Sequence, residues 1–175
     1  MFDKELVGQI YQEAGALIPE RIGMLSHMFG VSNIAGYLAH ELNRQRNLGI
    51  DQNLLETAAM VHDIGKMFDE TLWGHVEEGI KFLQKIGIDE RIIHLVEIHQ
   101  LWKNEVTRLL TWEEKLIILG DLSFKGEIMS VRERVEDIID RYTGHGIPQG
   151  QEKWIRKLSQ DIYQEISIIL PNLPI

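Results

Sequence analysis

The amino-acid sequence predicts an all-α fold, a helical bundle. Helical spacing of apolar residues dominates, strand-like alternation is almost absent, and the prolines at 19, 148, 171 and 174 fall outside the strongly periodic segments. In chain order the pattern predicts helices near 3–16, 20–46, 51–65, 73–87, 89–101, 112–124, 130–142 and 151–170. Asp51 before Gln52-Asn53-Leu54 reads as an N-cap, and Thr111 with Glu114 three residues on reads as a capping box. Gly65, Gly87 and Gly144 stand where helices are expected to stop. In the last helix Ile155, Leu158, Ile162 and Ile169 form an apolar stripe that covers the core or serves a dimer surface. With no internal repeat, low-complexity tract or linker, the 175 residues are expected to make one domain, monomeric or homodimeric.

Composition removes whole classes of chemistry. There is no cysteine, so disulfides, thiolate metal ligands and a cysteine nucleophile are excluded, and a metal would be held by His, Asp or Glu. A net charge of -9 speaks against a general nucleic-acid binder, though not against a small anionic substrate met by a local cluster of cations. No apolar run approaches the length of a membrane span, and Met1-Phe2-Asp3-Lys4-Glu5 does not read as a secretory signal. The expected location is the cytoplasm.

The stretch Ala58-Ala59-Met60-Val61-His62-Asp63-Ile64-Gly65-Lys66 puts a histidine and an aspartate at the end of an apolar helical run, followed by a glycine and a lysine. Elsewhere, residues three, four and seven apart share a helix face. His27 then lines up with Val31, Ile34 and Leu38; His62 with Leu55, Ala58 and Ala59; His75 with Gly79, Phe82 and Leu83; His99 with Ile92, Leu95 and Val96; Asp121 follows Ile117 and Ile118. Four histidines and an aspartate therefore point inward from five helices, and Asp63 adjoins one of them. His40, His94 and His145 follow no such stripe and receive no role. A single inward histidine is commonly a hydrogen-bonded core residue. Six inward polar groups are costly to satisfy pairwise, and a shared cation satisfies them together. Nitrogen and oxygen ligands suit Fe, Mn, Co, Ni, Zn or Mg, and six side chains suit two divalent ions bridged by Asp63.

His27, His62-Asp63 and Asp121 resemble the H…HD…D signature of the HD-domain superfamily, with His62-Asp63-Ile64-Gly65-Lys66 as the HD-x-G-K form of its central motif. The resemblance runs from about Arg21 to Arg141 and implies an HD-domain-like helical bundle. His75-Val76-Glu77-Glu78-Gly79 and Ile98-His99-Gln100 are similar to the further histidine segments of the two-metal branch. The resemblance implies His27, His62, Asp63 and Asp121 on one metal, and Asp63, His75 and His99 on the other. Gln100 replaces the second of two successive histidines, and no Gly-Tyr-Pro segment follows, which sets the chain apart from the cyclic-di-GMP phosphodiesterases. It looks closer to small stand-alone bacterial HD hydrolases, among them the HD-type diadenosine tetraphosphate hydrolases.

The implied activity is metal-dependent hydrolysis of a nucleotide, dinucleotide or other phosphate ester by a metal-activated water. Asp63 would orient the water, and Lys66 would stabilise negative charge developing on phosphate. Alternatives on the same scaffold are a di-iron oxygenase and a non-catalytic signalling module. Arg21, Lys103 and Lys125 are secondary candidates for the rim of the pocket, and Trp73 and Trp102 for stacking on a base.

Overall fold

The computed structural model describes residues 2–100, 108–144 and 146–173. Among them are eight α-helices: α1 (Lys4–Glu13), α2 (Ile22–Arg46), α3 (Gln52–Val61), α4 (Gly74–Lys85), α5 (Glu90–Ile98), α6 (Trp112–Asp121), α7 (Val131–Tyr142) and α8 (Gln151–Ile169). Short 3₁₀ turns occupy Pro19–Arg21 and Ile64–Met67. Extended pairing among the described residues is confined to isolated bridges between Phe124 and Ile128 and between Thr143 and Ile147. The fold is all-α, as the periodicity predicts.

The caps expected at Asp51 and Thr111 form, and the structure adds one at Ser130. The Asp51 carboxylate accepts from the Leu54 amide, Thr111 and Glu114 form a reciprocal capping box at the start of α6, and Ser130 and Glu133 form another at the start of α7. Each supplies acceptors to amides that have no partner within the helix. Gly87, with φ +75°, ends α4 in the left-handed region that a side chain resists.

α6 sits at the centre. Its run Leu116-Ile117-Ile118-Leu119-Gly120-Asp121 is buried throughout, as expected of a helix enclosed on all sides. α2 packs along both α3 and α6, α5 lies against α3, and α4 lies on α5 and on the 3₁₀ turn Ile64–Met67. α7 and α8 pair with each other, and α8 reaches back to α6. The buried stripe of α8 is Ile155, Ser159, Ile162 and Ile166, whereas Ile169 is only partly buried. Fully enclosed Met28, Leu38, Leu42, Leu55 and Leu116 tie these helices into one apolar core.

The segment predicted as a helix over 51–65 divides. α3 ends at Val61, His62 is its C-terminal cap, and Asp63 opens the 3₁₀ turn. Gly65 has a different reason from the one its place in the sequence suggests. A Cβ there would lie 1.7 Å from the His75 carbonyl oxygen and 2.5 Å from the Gly79 amide nitrogen. Glycine thus lets the backbone of the turn lie directly on α4. That close approach brings His75 beside Asp63.

Candidate metal centre

The side chains singled out in the sequence converge. His62, Asp63, His75 and His99 are almost wholly buried, Asp121 is 7% exposed, and His27 is partly buried. Three of these groups stand at helix C-termini: His62 caps α3, His99 caps α5, and Asp121 is the last residue of α6. The negative ends of three helix dipoles therefore meet where a cation would sit. His27 comes from the middle of α2 and His75 from the first turn of α4.

Asp63 is at the centre. Its Oδ2 lies 3.6 Å from Nε2 of both His27 and His62. Its Oδ1 lies 3.1 Å from His75 Nε2 and 3.9 Å from His99 Nε2. Asp121 Oδ1 lies 3.1 Å from His27 Nε2 and 3.8 Å from His62 Nε2. Two groups result that could each hold a cation, His27-His62-Asp63 and Asp63-His75-His99, with ligand atoms within 4.8 Å of one another in each.

The hydrogen bonds orient the imidazoles for this. Nδ1 of His62 lies 2.7 Å from the Ala59 carbonyl, Nδ1 of His75 lies 2.8 Å from the Thr71 carbonyl, and Nδ1 of His99 lies 2.5 Å from the Val96 carbonyl. A carbonyl only accepts, so Nδ1 carries the proton and donates. In a neutral ring Nε2 is then a bare lone pair directed into the cluster. For His62 and His99 the same bond satisfies a carbonyl at a helix end that would otherwise lack a donor. His62 Nε2 is buried and has no hydrogen-bond partner among the described residues. His75 Nε2 faces a carboxylate oxygen, and two acceptors at that separation call for positive charge between them. The donor set fits divalent cations.

The electrostatics agree. Burial pulls the His99 imidazole down to about 3 and is helped by the nearby His62. Burial also lowers His62. Both rings are therefore neutral and ligand-competent near neutral pH. Burial by itself would raise Asp63, but Lys66, His62 and His75 outweigh it and hold the carboxyl well below the usual range. Asp121 behaves likewise: His27 overcomes the effect of burial. Lys66 makes an ion pair with Asp63 Oδ2. Burial would lower its ammonium, and Asp63 raises it.

The cluster opens onto a cleft of about 490 Å³, counting the space at its mouth, which Asp63, His75 and Asp121 line together with Lys66 and Gln100. A match to the HD domain model extends over residues 24–144 and so takes in every one of the converging side chains. The chain belongs to the HD domain family. HD-domain membership places it among metal-dependent hydrolases, and the two His/Asp clusters could hold the cations. The HD domain here is also similar to part of several curated proteins named Ribonuclease Y. It is 29% identical to that of Lactobacillus helveticus over 121 residues, 69% of this chain and 20% of that protein. It is 33% identical to that of Desulforamulus reducens over 119 residues, 67% of this chain and 21% of that protein. Over a shorter stretch of 77 residues it is 36% identical to that of Alkaliphilus metalliredigens, 43% of this chain and 15% of that protein. The chain thus spans about a fifth or less of the length of these relatives. No solved structure matches.

Among the described residues, the secondary candidates Arg21, Lys125 and Trp73 do not line the HD-domain cleft. Arg21 is paired with Glu70 at 2.5 Å, and Lys125 with Asp137 at 2.8 Å. The Trp73 indole donates to the Gly146 carbonyl at 2.6 Å, so packing uses it. Trp102, Lys103 and His145 lie outside the described residues. His94, given no role in the sequence, meets the buried Glu114 at 2.6 Å. Sequence reasoning did not single out Arg134, Arg141 and Tyr142, which line the cleft from α7, nor assign a site role to Gln100, whose amide lies 3.2 Å from His75 Nε2. The signal available for the α7 set was spacing: positions 134, 138, 141 and 142 share one helix face.

Proposed function

We propose that this HD domain is a two-cation phosphohydrolase acting on a phosphate ester or anhydride of the nucleotide kind. The observation that carries this reading is the division of the Asp63 carboxylate, with Oδ2 turned to His27 and His62 and Oδ1 turned to His75 and His99. A carboxylate so placed suits a bridge between two ions, with His27, His62 and Asp121 completing one set and His75 and His99 the other. Divalent ions held there supply an acidified water near neutral pH and charge that offsets the phosphoryl oxygens.

The chain's own residues do the rest. The carbonyl-anchored imidazoles present Nε2 without rotating, and burial keeps those of His62 and His99 neutral. Asp63, kept ionised by its surroundings, accepts a hydrogen bond from the attacking water and aims it. Lys66 lies at the cleft wall within reach of Asp63, and its raised pKa keeps it charged, so it stabilises negative charge gained by the phosphoryl group. Enclosure of the cluster on four sides by α2, α3, α5 and α6 limits solvent and strengthens each of these interactions.

Ribonuclease Y, the name of the curated relatives, makes oligoribonucleotides a substrate class to include beside mono- and dinucleotides. The experiment is metal analysis of protein purified without oxygen, followed by phosphate-release and chain-cleavage assays across those substrates with Mn²⁺, Fe²⁺, Co²⁺, Ni²⁺, Zn²⁺ and Mg²⁺. Two ions per chain and hydrolysis that disappears in Asp63→Ala are expected. One ion per native chain would remove the two-cation reading, and full hydrolysis in Asp63→Ala would remove the mechanism.

A further inference from the structure

The wall of the cleft formed by α7 carries positive charge that the cation clusters do not use. Arg134 and Arg141 both line it, with Ile138 between them on the same face. Asp137 lies behind and holds both: its Oδ2 accepts from Arg134 Nη1 at 3.0 Å and from Arg141 Nη2 at 2.7 Å, while Oδ1 accepts from Lys125 at 2.8 Å. Two guanidinium groups that share one carboxylate oxygen are brought close together at the cleft wall, where Arg141 also hydrogen-bonds to and stacks over its neighbour Tyr142. Arg134 is mostly buried, its side chain 12% exposed, and its Nε–H has no acceptor among the described residues.

The acids of α7 are disposed elsewhere. Glu133 closes the cap with Ser130, Glu136 pairs with Arg156, and Asp140 is exposed. Asp137 thus faces three cations at this spot, and Glu70, a further acid that lines the cleft, is paired with Arg21 at 2.5 Å, in a chain whose net charge is -9. A buried, oriented guanidinium with an unmet donor, next to a second one, is the arrangement that recognises phosphate.

We propose that Arg134 and Arg141, positioned by Asp137, form an anion seat in the cleft that takes a second phosphate of the substrate. The preferred substrate is then a nucleotide with at least two phosphates, joined as a phosphodiester or a phosphoanhydride, and not a simple monophosphate. The inference rests on the two-cation reading for the place of the first phosphate; the seat for the second stands on α7 alone.

The test is competition binding to the Mn²⁺-loaded full chain at 4 °C, comparing adenosine 3′,5′-bisphosphate with AMP and recovering each ligand intact by chromatography. A charge-assisted contact of this kind is worth about tenfold or more, so the bisphosphate should bind at least about tenfold tighter. In Arg141→Gln, a change at a half-exposed side chain, that advantage should fall to within about threefold. Arg134→Lys, which keeps the charge but loses the planar fork, should keep part of it, and Asp137→Asn should reduce it without touching the cleft. Given that advantage, hydrolysis of the dinucleotide pApA against diadenosine tetraphosphate then tells which linkage carries the second phosphate. Equal binding of AMP and the bisphosphate by the native chain overturns the proposal, as does an advantage that survives intact in Arg141→Gln and Arg134→Lys. A bisphosphate advantage with no hydrolysis of any substrate keeps the seat and removes the phosphohydrolase; hydrolysis without the advantage does the reverse.

Discussion

Asp63 and Lys66 show how much one turn of chain can hold. The carboxylate touches histidines from α2, α3, α4 and α5, and the lysine three positions on is tied to it. Removing the carboxylate removes a ligand from both proposed sites at once, so Asp63→Ala should take metal content from two ions to one or none, read by elemental analysis. His75→Ala takes a ligand from only one group and should leave one ion bound. Lys66→Met keeps the bulk of the stem and loses only the charge. It should leave metal content at the native value and lower kcat/KM by about one to two orders of magnitude, the range expected for one charge-stabilising donor. A native kcat/KM in that variant, with an active enzyme in hand, would leave the lysine as nothing more than a counter-ion for Asp63.

At the scale of an element, the 3₁₀ turn Ile64–Met67 and its seat on α4 decide whether His75 reaches Asp63. In Gly65→Ala the new methyl meets backbone of α4, which cannot swing aside as a flexible side chain would. The cost expected of such overpacking is about 1–3 kcal/mol, measurable by urea unfolding. The displacement of α4 should also weaken the ion on the His75-His99 side more than the other. α6 supplies a second case. Its capping residue Glu114 is buried, accepts from Arg108 at 2.8 Å and 2.5 Å and from the Thr111 amide at 2.7 Å, and meets His94 at 2.6 Å. Burial alone would raise its carboxyl, yet the Arg108, Thr111 and His94 contacts bring it down to about 2 from the ordinary 4.5. A carboxyl held lower in the folded than in the unfolded chain stabilises the fold above its unfolded value. That contribution fades as pH falls from about 4.5 towards 2, because the unfolded chain takes up the proton first. Glu114→Gln should therefore flatten the loss of stability across that window, seen as a smaller shift in the thermal midpoint between pH 5 and pH 3.

For the whole molecule, the site is a place where packing and charge oppose one another. Three helix C-termini, two carboxylates and four imidazoles crowd into the interior of a chain already at -9, a conflict that cations held there would relieve. An ion that binds the folded chain alone stabilises it by about 2.7 kcal/mol at a hundredfold excess over its Kd. For a chain of this size that corresponds to a rise of about 5–10 °C in the thermal midpoint. Adding Mn²⁺ to EDTA-treated protein should produce such a rise, and Asp63→Ala should show little of it. No helix among the described residues is long and apolar enough to cross a membrane.

What the sequence determined by itself was local. Apolar spacing marked the helices, Asp51 and Thr111 marked their starts, and the absence of cysteine limited the metal ligands to His, Asp and Glu. The inward stripes picked out His27, His62, His75, His99 and Asp121, because an imidazole on an apolar face is legible from spacing of three and four. The tertiary structure decided which covered faces meet. It ended α3 at Val61 because the His62 and Asp63 side chains lie at a break where the backbone turns onto α4, and local propensity does not register that neighbour. It explained Gly65 by close approach and not by helix termination. It also turned Arg134 and Arg141 to the cleft while Glu133 and Glu136 found partners elsewhere, a sorting invisible in a stretch of mixed charge. Periodicity records that a face is buried or polar; only packing says what lies opposite it.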